Sequence, residues 1–152
     1  MALSLTLILA PSARAQQNAQ AAVAVASINP TDLSLESDPD DTPQLARLKA
    51  ALRLMSAYSQ VQIICEKCNQ PQIMKTFHSA NGSVLPKVIA VLKEAGAMTD
   101  DWKETVDKYT NEAVEAAMAE NDCAQLMGLI KKHHWTLYQG RFVNDYKLIS
   151  RK

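Results

Sequence analysis

The sequence predicts an all-α protein: an up-down helical bundle of about four main helices plus short helical segments, preceded by a signal peptide and a flexible linker. Composition is the first reason. Gly is scarce at four of 152 residues, while Ala, Leu, Lys, Glu and Gln are frequent, which favours helix over sheet. Periodicity is the second, because apolar residues recur at spacings of three and four between Pro and Gly stops. The third is that Ser, Thr or Asp stands where most of these segments begin. The length suits one domain with a core large enough to fold alone. A formal net charge of zero offers no electrostatic case for nucleic acid as a partner.

Residues 1–15 read as a secretory signal peptide. A short apolar run over 3–10 (LSLTLILA) is followed by Pro11 and an A-x-A site at Ala13-Arg14-Ala15. The run is shorter than the roughly 20 residues that span a bilayer, so the mature chain is expected to have no integral membrane span. No Lys or Arg precedes Leu3, which departs from the usual basic start of such peptides. Residues 16–42 read as a disordered acidic linker. Asp32, Glu36, Asp38, Asp40 and Asp41 have no basic partner within it, and it is too polar to offset its ordering entropy.

The helical domain is assigned to residues 43–152. Asp41 or Thr42 caps its first helix, with Pro43 in the first turn. No Gly or Pro interrupts 44–69, and Pro71 ends the run. Leu45, Leu48, Leu52 and Met55 form one apolar row; Leu54, Tyr58, Val61, Cys65 and Cys68 form another beside it. A short helix over 71–79 turns Ile73, Met74 and Phe77 inward, and Asn81-Gly82 stops it. Ser83 caps a helix with Leu85, Val88, Ile89 and Leu92 on its apolar face, closed by Gly96. Thr99 or Asp100 begins the next, striped by Trp102, Val106, Tyr109, Ala113 and Ala117. Asn121 or Asp122 caps a helix bearing Leu126, Met127, Ile130 and Leu137. Gly140 interrupts it, and Phe142, Tyr146 and Ile149 mark a final segment.

Charge is segregated along the chain. Residues 100–122 carry eight acidic and two basic groups; residues 123–152 carry six basic and one acidic. Neighbouring helices of opposite sign are expected to neutralise each other weakly, at well under about 1 kcal/mol per exposed pair. The alternative is that the basic tail meets an acidic partner.

The stretch ICEKCN, residues 64–69, holds Cys65 and Cys68 in a C-x-x-C pair; Cys123 is the third cysteine. Haem attachment requires His after the pair, and Asn69 stands there instead. A thioredoxin-type centre needs the pair at a helix start after a strand. Here it ends a helix, where the dipole disfavours thiolate. A zinc site could draw on Cys65, Cys68 and His133, with His134, or on Cys123 and His78, but neither a second C-x-x-C nor H-x3–5-H spacing is present. In an alternating bundle the end of the first helix and the start of the fourth share one end, so a disulfide from Cys68 to Cys123 is expected to staple them. That pairing spares Cys65 as a free thiol able to join two copies; Cys65 to Cys123 is the alternative pairing.

The sequence contains no nucleophile elbow, phosphate-cradling Gly loop, H-E-x-x-H or EF-hand loop. The expected function is therefore that of an exported, periplasmic or secreted, helical protein that binds another protein or a small ligand. No catalysis of its own and no cofactor are expected. A thiol-redox or zinc-binding protein using Cys65 and Cys68 is the alternative from another class, and a chaperone-like or structural protein is the third.

Overall fold

A computed structural model describes residues 33–118, 122–131, 137 and 140–151. The expected signal peptide, residues 16–32 of the expected linker, and His133 and His134 lie outside the described residues. Those described form six α-helices and one 3-10 turn, with no strand among them: α1 (Pro43–Lys67), α2 (Pro71–Asn81), α3 (Val84–Glu94), α4 (Asp100–Met118), α5 (Cys123–Leu129), the 3-10 turn (Gly140–Phe142) and α6 (Val143–Ser150). None of these helices is long and apolar enough to cross a membrane.

The organising element is α1, 25 residues and about 38 Å long. Thr42 caps it, its side chain accepting from the Leu45 N–H at 3.2 Å, and Pro43 occupies the first turn. Leu48, Lys49, Ala50, Ala51 and Leu52 are all buried. Five consecutive helical residues sweep more than a full turn, so the middle of α1 is enclosed on every side. The small side chains Ala50, Ala51 and Ala57 let neighbours approach closely. All five other helices pack on α1, and α3 also touches α6. The pattern is spokes on a hub.

Backbone chemistry explains where α1 and α3 stop. Asn69 takes a left-handed φ of 49° just past the α1 cap residue Cys68. Its N–H donates to the Glu66 carbonyl at 3.1 Å, and the Gln70 N–H donates to the Cys65 carbonyl at 2.8 Å. Gly96 does the same for α3 with φ 68°, its N–H donating to Lys93 and that of Ala97 to Leu92. Both are Schellman closures, which satisfy carbonyls that a helix end leaves open. Asn69 is thus the residue that ends the first helix.

Several expectations shift at the level of faces. α3 buries Val84, Val88, Val91 and Leu92, while Leu85 is only partly covered. α4 buries Trp102 and Val114 together with Thr105 and Thr110. Thr105 remains satisfied because its hydroxyl donates to the Asp101 carbonyl at 3.1 Å. α2 stops at Asn81-Gly82 as the sequence predicts, and Asn81 is also fully buried. Its amide nitrogen donates to the Phe77 carbonyl at 2.9 Å, and its oxygen accepts from the Leu137 N–H at 2.7 Å, tying α2 to a point 56 residues later.

Residues 33–42, placed in the linker by composition, lie against the helices. Leu33 is buried in the main core cluster, and Leu35 packs on it. Three groups hold this arm. Tyr109 donates its hydroxyl to the Leu33 carbonyl, Arg53 donates to the Leu35 carbonyl, and Lys49 donates to the Glu36 carbonyl at 3.1 Å. Lys49 also pairs with Asp41 at 2.6 Å, both side chains being more than nine-tenths covered. Composition could not reveal this, because the cations that partner the arm lie on α1.

Among the described residues, no ion pair joins the acidic segment 100–122 to the basic segment 123–152. The ion pairs run from α1: Arg47 to Glu94, Lys49 to Asp41, and Arg53 to Asp145 on α6. Among the described residues, no carboxylate of α4 joins an ion pair, and Asp100, Asp101, Glu104, Asp107, Glu112 and Glu115 all face solvent.

Two predictions follow from these clamps. Arg53 grips Asp145 through two nitrogens, with Nε 3.1 and 3.2 Å from the two carboxylate oxygens, in a partly buried setting. Arg53→Met is expected to lower stability by about 2–3 kcal/mol in urea unfolding. Arg47→Met, at an exposed pair, is expected to cost under about 1 kcal/mol. Equal costs would show that the Arg53 pair is no more than a surface contact. The second concerns acid. The hydrogen bond from Lys49, then that from the Asp38 backbone, hold the Asp41 carboxyl below its ordinary value of 3.8. A lowered folded-state value means that the stabilisation is complete above 3.8 and disappears as pH falls through the lowered value. Urea midpoints measured downward from about pH 5 should therefore fall less steeply in Asp41→Asn than in the parent chain.

Candidate functional site at the end of the first helix

The ICEKCN stretch forms the last turn of α1 and its closure. Ile64 and Cys65 are buried, Glu66 and Lys67 face solvent, and Cys68 is the half-buried cap residue. Cys68 forms a disulfide with Cys123, the two Cα atoms lying 5.7 Å apart across 55 residues of chain. Cys123 is the first residue of α5. Asp122 caps that helix, its side chain accepting from the Ala124 N–H at 2.8 Å. Past the bond, α5 buries Leu126, and Ile130 is buried immediately after it. The disulfide thus fixes a seven-residue helix that is too short to persist alone.

Cys65 is the free thiol among the described residues, and it is 2% exposed. Burial first, then the adjacent Glu66 carboxylate, push its pKa up. A thiol held protonated in this way is a poor nucleophile toward external substrates, because the thiolate is the reactive form. The bond also commits two of the three sulfurs, so Cys68 and Cys123 offer no thiolate to a metal. The weak zinc set Cys65, Cys68 and His133 cannot be completed from what is described: His133 lies outside it, and no group of three or more His, Cys, Asp or Glu is arranged to hold a metal among the described residues. His78 is instead paired with the Tyr58 hydroxyl through Nδ1, beside the Phe77 ring at 5.2 Å from that of Tyr58.

Two further polar features escaped the sequence reading. One is an open depression of about 700 Å3 lined by Ser34, Leu35, Glu36, Ser37, Arg53 and Tyr109, where the N-terminal arm crosses α1 and α4. Its guanidinium is already engaged by Asp145 and the Leu35 carbonyl. The other lies on the α3–α6 seam. Lys87 donates to the Tyr146 hydroxyl and to Ser150, both at 3.1 Å. Lys87 is the main reason that the Tyr146 phenol is lowered from its ordinary value, with burial opposing it. The ammonium stands 4.7 Å from the ring centroid, so the hydroxyl is its nearer partner. The signal for both features was the cations at Arg53 and Lys87 on otherwise apolar helix faces. Their partners lie 92 and 59 residues away, beyond local pattern.

The sequence matches no protein family, and no curated protein or solved structure is significantly similar to it. The site therefore rests on its own geometry.

Removing the staple tests that geometry. For a closed loop of this length the chain-entropy argument gives an upper value of roughly 4 kcal/mol. Cys123→Ala is expected to lower stability by about 2–4 kcal/mol, while Cys65→Ala in an intact-disulfide background costs less. A non-reducing peptide map of freshly purified, acid-quenched protein should show Cys68 joined to Cys123 and Cys65 open to alkylation after unfolding.

Proposed function

We propose that the chain is an exported helical domain, stapled by a disulfide, that acts by binding another protein or a small ligand rather than by catalysis. The observation that carries this reading is the Cys68–Cys123 bond itself. Such bonds form and persist in oxidising compartments, the periplasm or the extracellular space, and are rare where thiols are kept reduced. The apolar run and A-x-A site of residues 1–15 support the same compartment. On this reading the mature chain begins at Gln16, and its main helices alternate in direction so that the ends of α1 and α5 meet. Support for binding over catalysis comes from the chemistry at the cysteines, where one sulfur is buried and the other two are joined. The six solvent-facing carboxylates of α4, which join no ion pair among the described residues, add a polar surface suited to orienting an encounter with a cationic group.

Thiol-redox activity through Cys65 and Cys68 is the second reading, favoured by one observation: a free thiol sits one helical turn from a disulfide. Its raised pKa works against it.

Expression of the full chain in a secreting host provides the test. N-terminal sequencing should begin at Gln16, and the disulfide should be present in the exported fraction. A chain retained in the cytosol with residues 1–15 intact would overturn the export reading. Disulfide-reductase turnover lost in Cys65→Ser, or stoichiometric zinc in untagged protein, would replace the binding reading with the second.

A further inference from the structure

The three cysteines carry more than a static staple. Cys65 and Cys68 are separated by one helical turn at the end of α1, and the dihedrals that place them are helical through Lys67. Helical residues three apart have Cα atoms about 5 Å from each other, inside the span that a disulfide bridges. Their Cβ atoms are about 5–6 Å apart, wider than the roughly 4 Å that a disulfide requires. The necessary closing movement falls on Cys68, which is the cap residue, with the left-handed Asn69 immediately after it. Cys68 stands at the end of the intrahelical ladder, its N–H donating to the Ile64 carbonyl at 2.9 Å, so closing it onto Cys65 disturbs only the last turn.

We infer that Cys65 is an internal nucleophile toward the Cys68–Cys123 disulfide, so that the chain has two disulfide isomers: one stapling α5 to α1, the other confined to the last turn of α1. In the exchange, the Cys65 thiol gives its proton to water and its sulfur attacks the sulfur of Cys68. The new Cys65–Cys68 bond forms as the Cys68–Cys123 bond breaks, and Cys123 leaves as a thiolate that takes a proton from water. No net oxidation or reduction occurs, and no outside thiol is consumed. Cys123 is partly exposed, so solvent reaches the leaving group.

Packing decides which isomer dominates. In the docked state Leu126 and Ile130 are buried and Cys65 is 2% exposed, which disfavours attack and keeps the staple in place. When α5 loosens, the Cys65 sulfur becomes free to attack, and the resulting bond closes so short a loop that nothing tethers α5 any longer. Undocking of α5 is thereby recorded covalently, and a new thiol appears at Cys123. This rests on the disulfide and the helix geometry, independently of what the protein binds.

Wild-type protein provides the main test, because Lys67 lies between the two cysteines and tryptic cleavage there separates them. The protein is held near pH 8.5 in urea just below its unfolding midpoint, acid-quenched at intervals, alkylated under mildly acidic unfolding conditions and mapped without reduction. Expected at the start are a Cys68–Cys123 link and alkylated Cys65. With time, a Cys65–Cys68 link and alkylated Cys123 should accumulate together, at a rate unchanged by roughly tenfold dilution because the step is intramolecular. Cys65→Ala should keep its Cys68–Cys123 link and release no Cys123 thiol under the same treatment. The inference is overturned if Cys65 remains the only alkylated cysteine, if Cys65 pairs with Cys123 instead, or if the new link slows on dilution.

Discussion

Everything in this molecule depends on the enclosure of one long helix. α1 carries buried residues around its whole circumference at Leu48–Leu52, and each of the other five helices packs against it. A helix in this position cannot be amphipathic in the ordinary sense, because no face of its middle is left for water. It must still place its polar residues somewhere. Lys49 and Arg53 resolve the conflict by pairing outward with Asp41 and Asp145 and with backbone carbonyls of the N-terminal arm. Burying those cations without partners would be strongly unfavourable, so the same residues that threaten the core define which segments must cover it.

The periphery is held at separate points. Asn81 fastens the chain at Leu137, Arg53 fastens α6, and the disulfide fastens α5. Each of these ties joins positions more than 50 residues apart, whereas the helices they secure are short: seven residues in α5 and eight in α6. Short helices have too little hydrogen bonding of their own to persist, so their order comes from docking and from these ties. The disulfide is the only covalent one among the described residues. The thiol of Cys65 beside it gives that covalent tie an internal competitor.

Local chemistry and long-range chemistry were unequally legible. The start of α1 at Thr42-Pro43, the break before Pro71, the left-handed Gly96 and the one-turn spacing of Cys65 and Cys68 are all written in adjacent residues. Periodicity marked α3 and α4 as helices and placed Val88, Leu92 and Trp102 inward, but missed Val84, Val91, Thr105 and Thr110, with Leu85 and Val106 only partly buried against the core. The choice between Leu85 and Val84, or between Val106 and Thr105, turns on a rotation of one residue that only the neighbouring helix selects. Composition likewise set residues 33–42 apart as a linker, since their acidic groups have no partner within the segment.

Sequence alone determined the helical class, most helix boundaries, and the fact that three cysteines lie near helix ends, because each depends on dihedral preference and spacing within a few residues. Tertiary structure decided that α1 is a hub, that the N-terminal arm belongs to the folded body, and which sulfur is left free. Those outcomes depend on pairing between groups tens of residues apart, where burial sets the free energy of leaving a charge or an amide unpaired. The residue immediately after the cysteine pair shows the division well. Asn69 argued against haem from its identity alone, but only its left-handed backbone reveals that it closes the helix on which the fold is built.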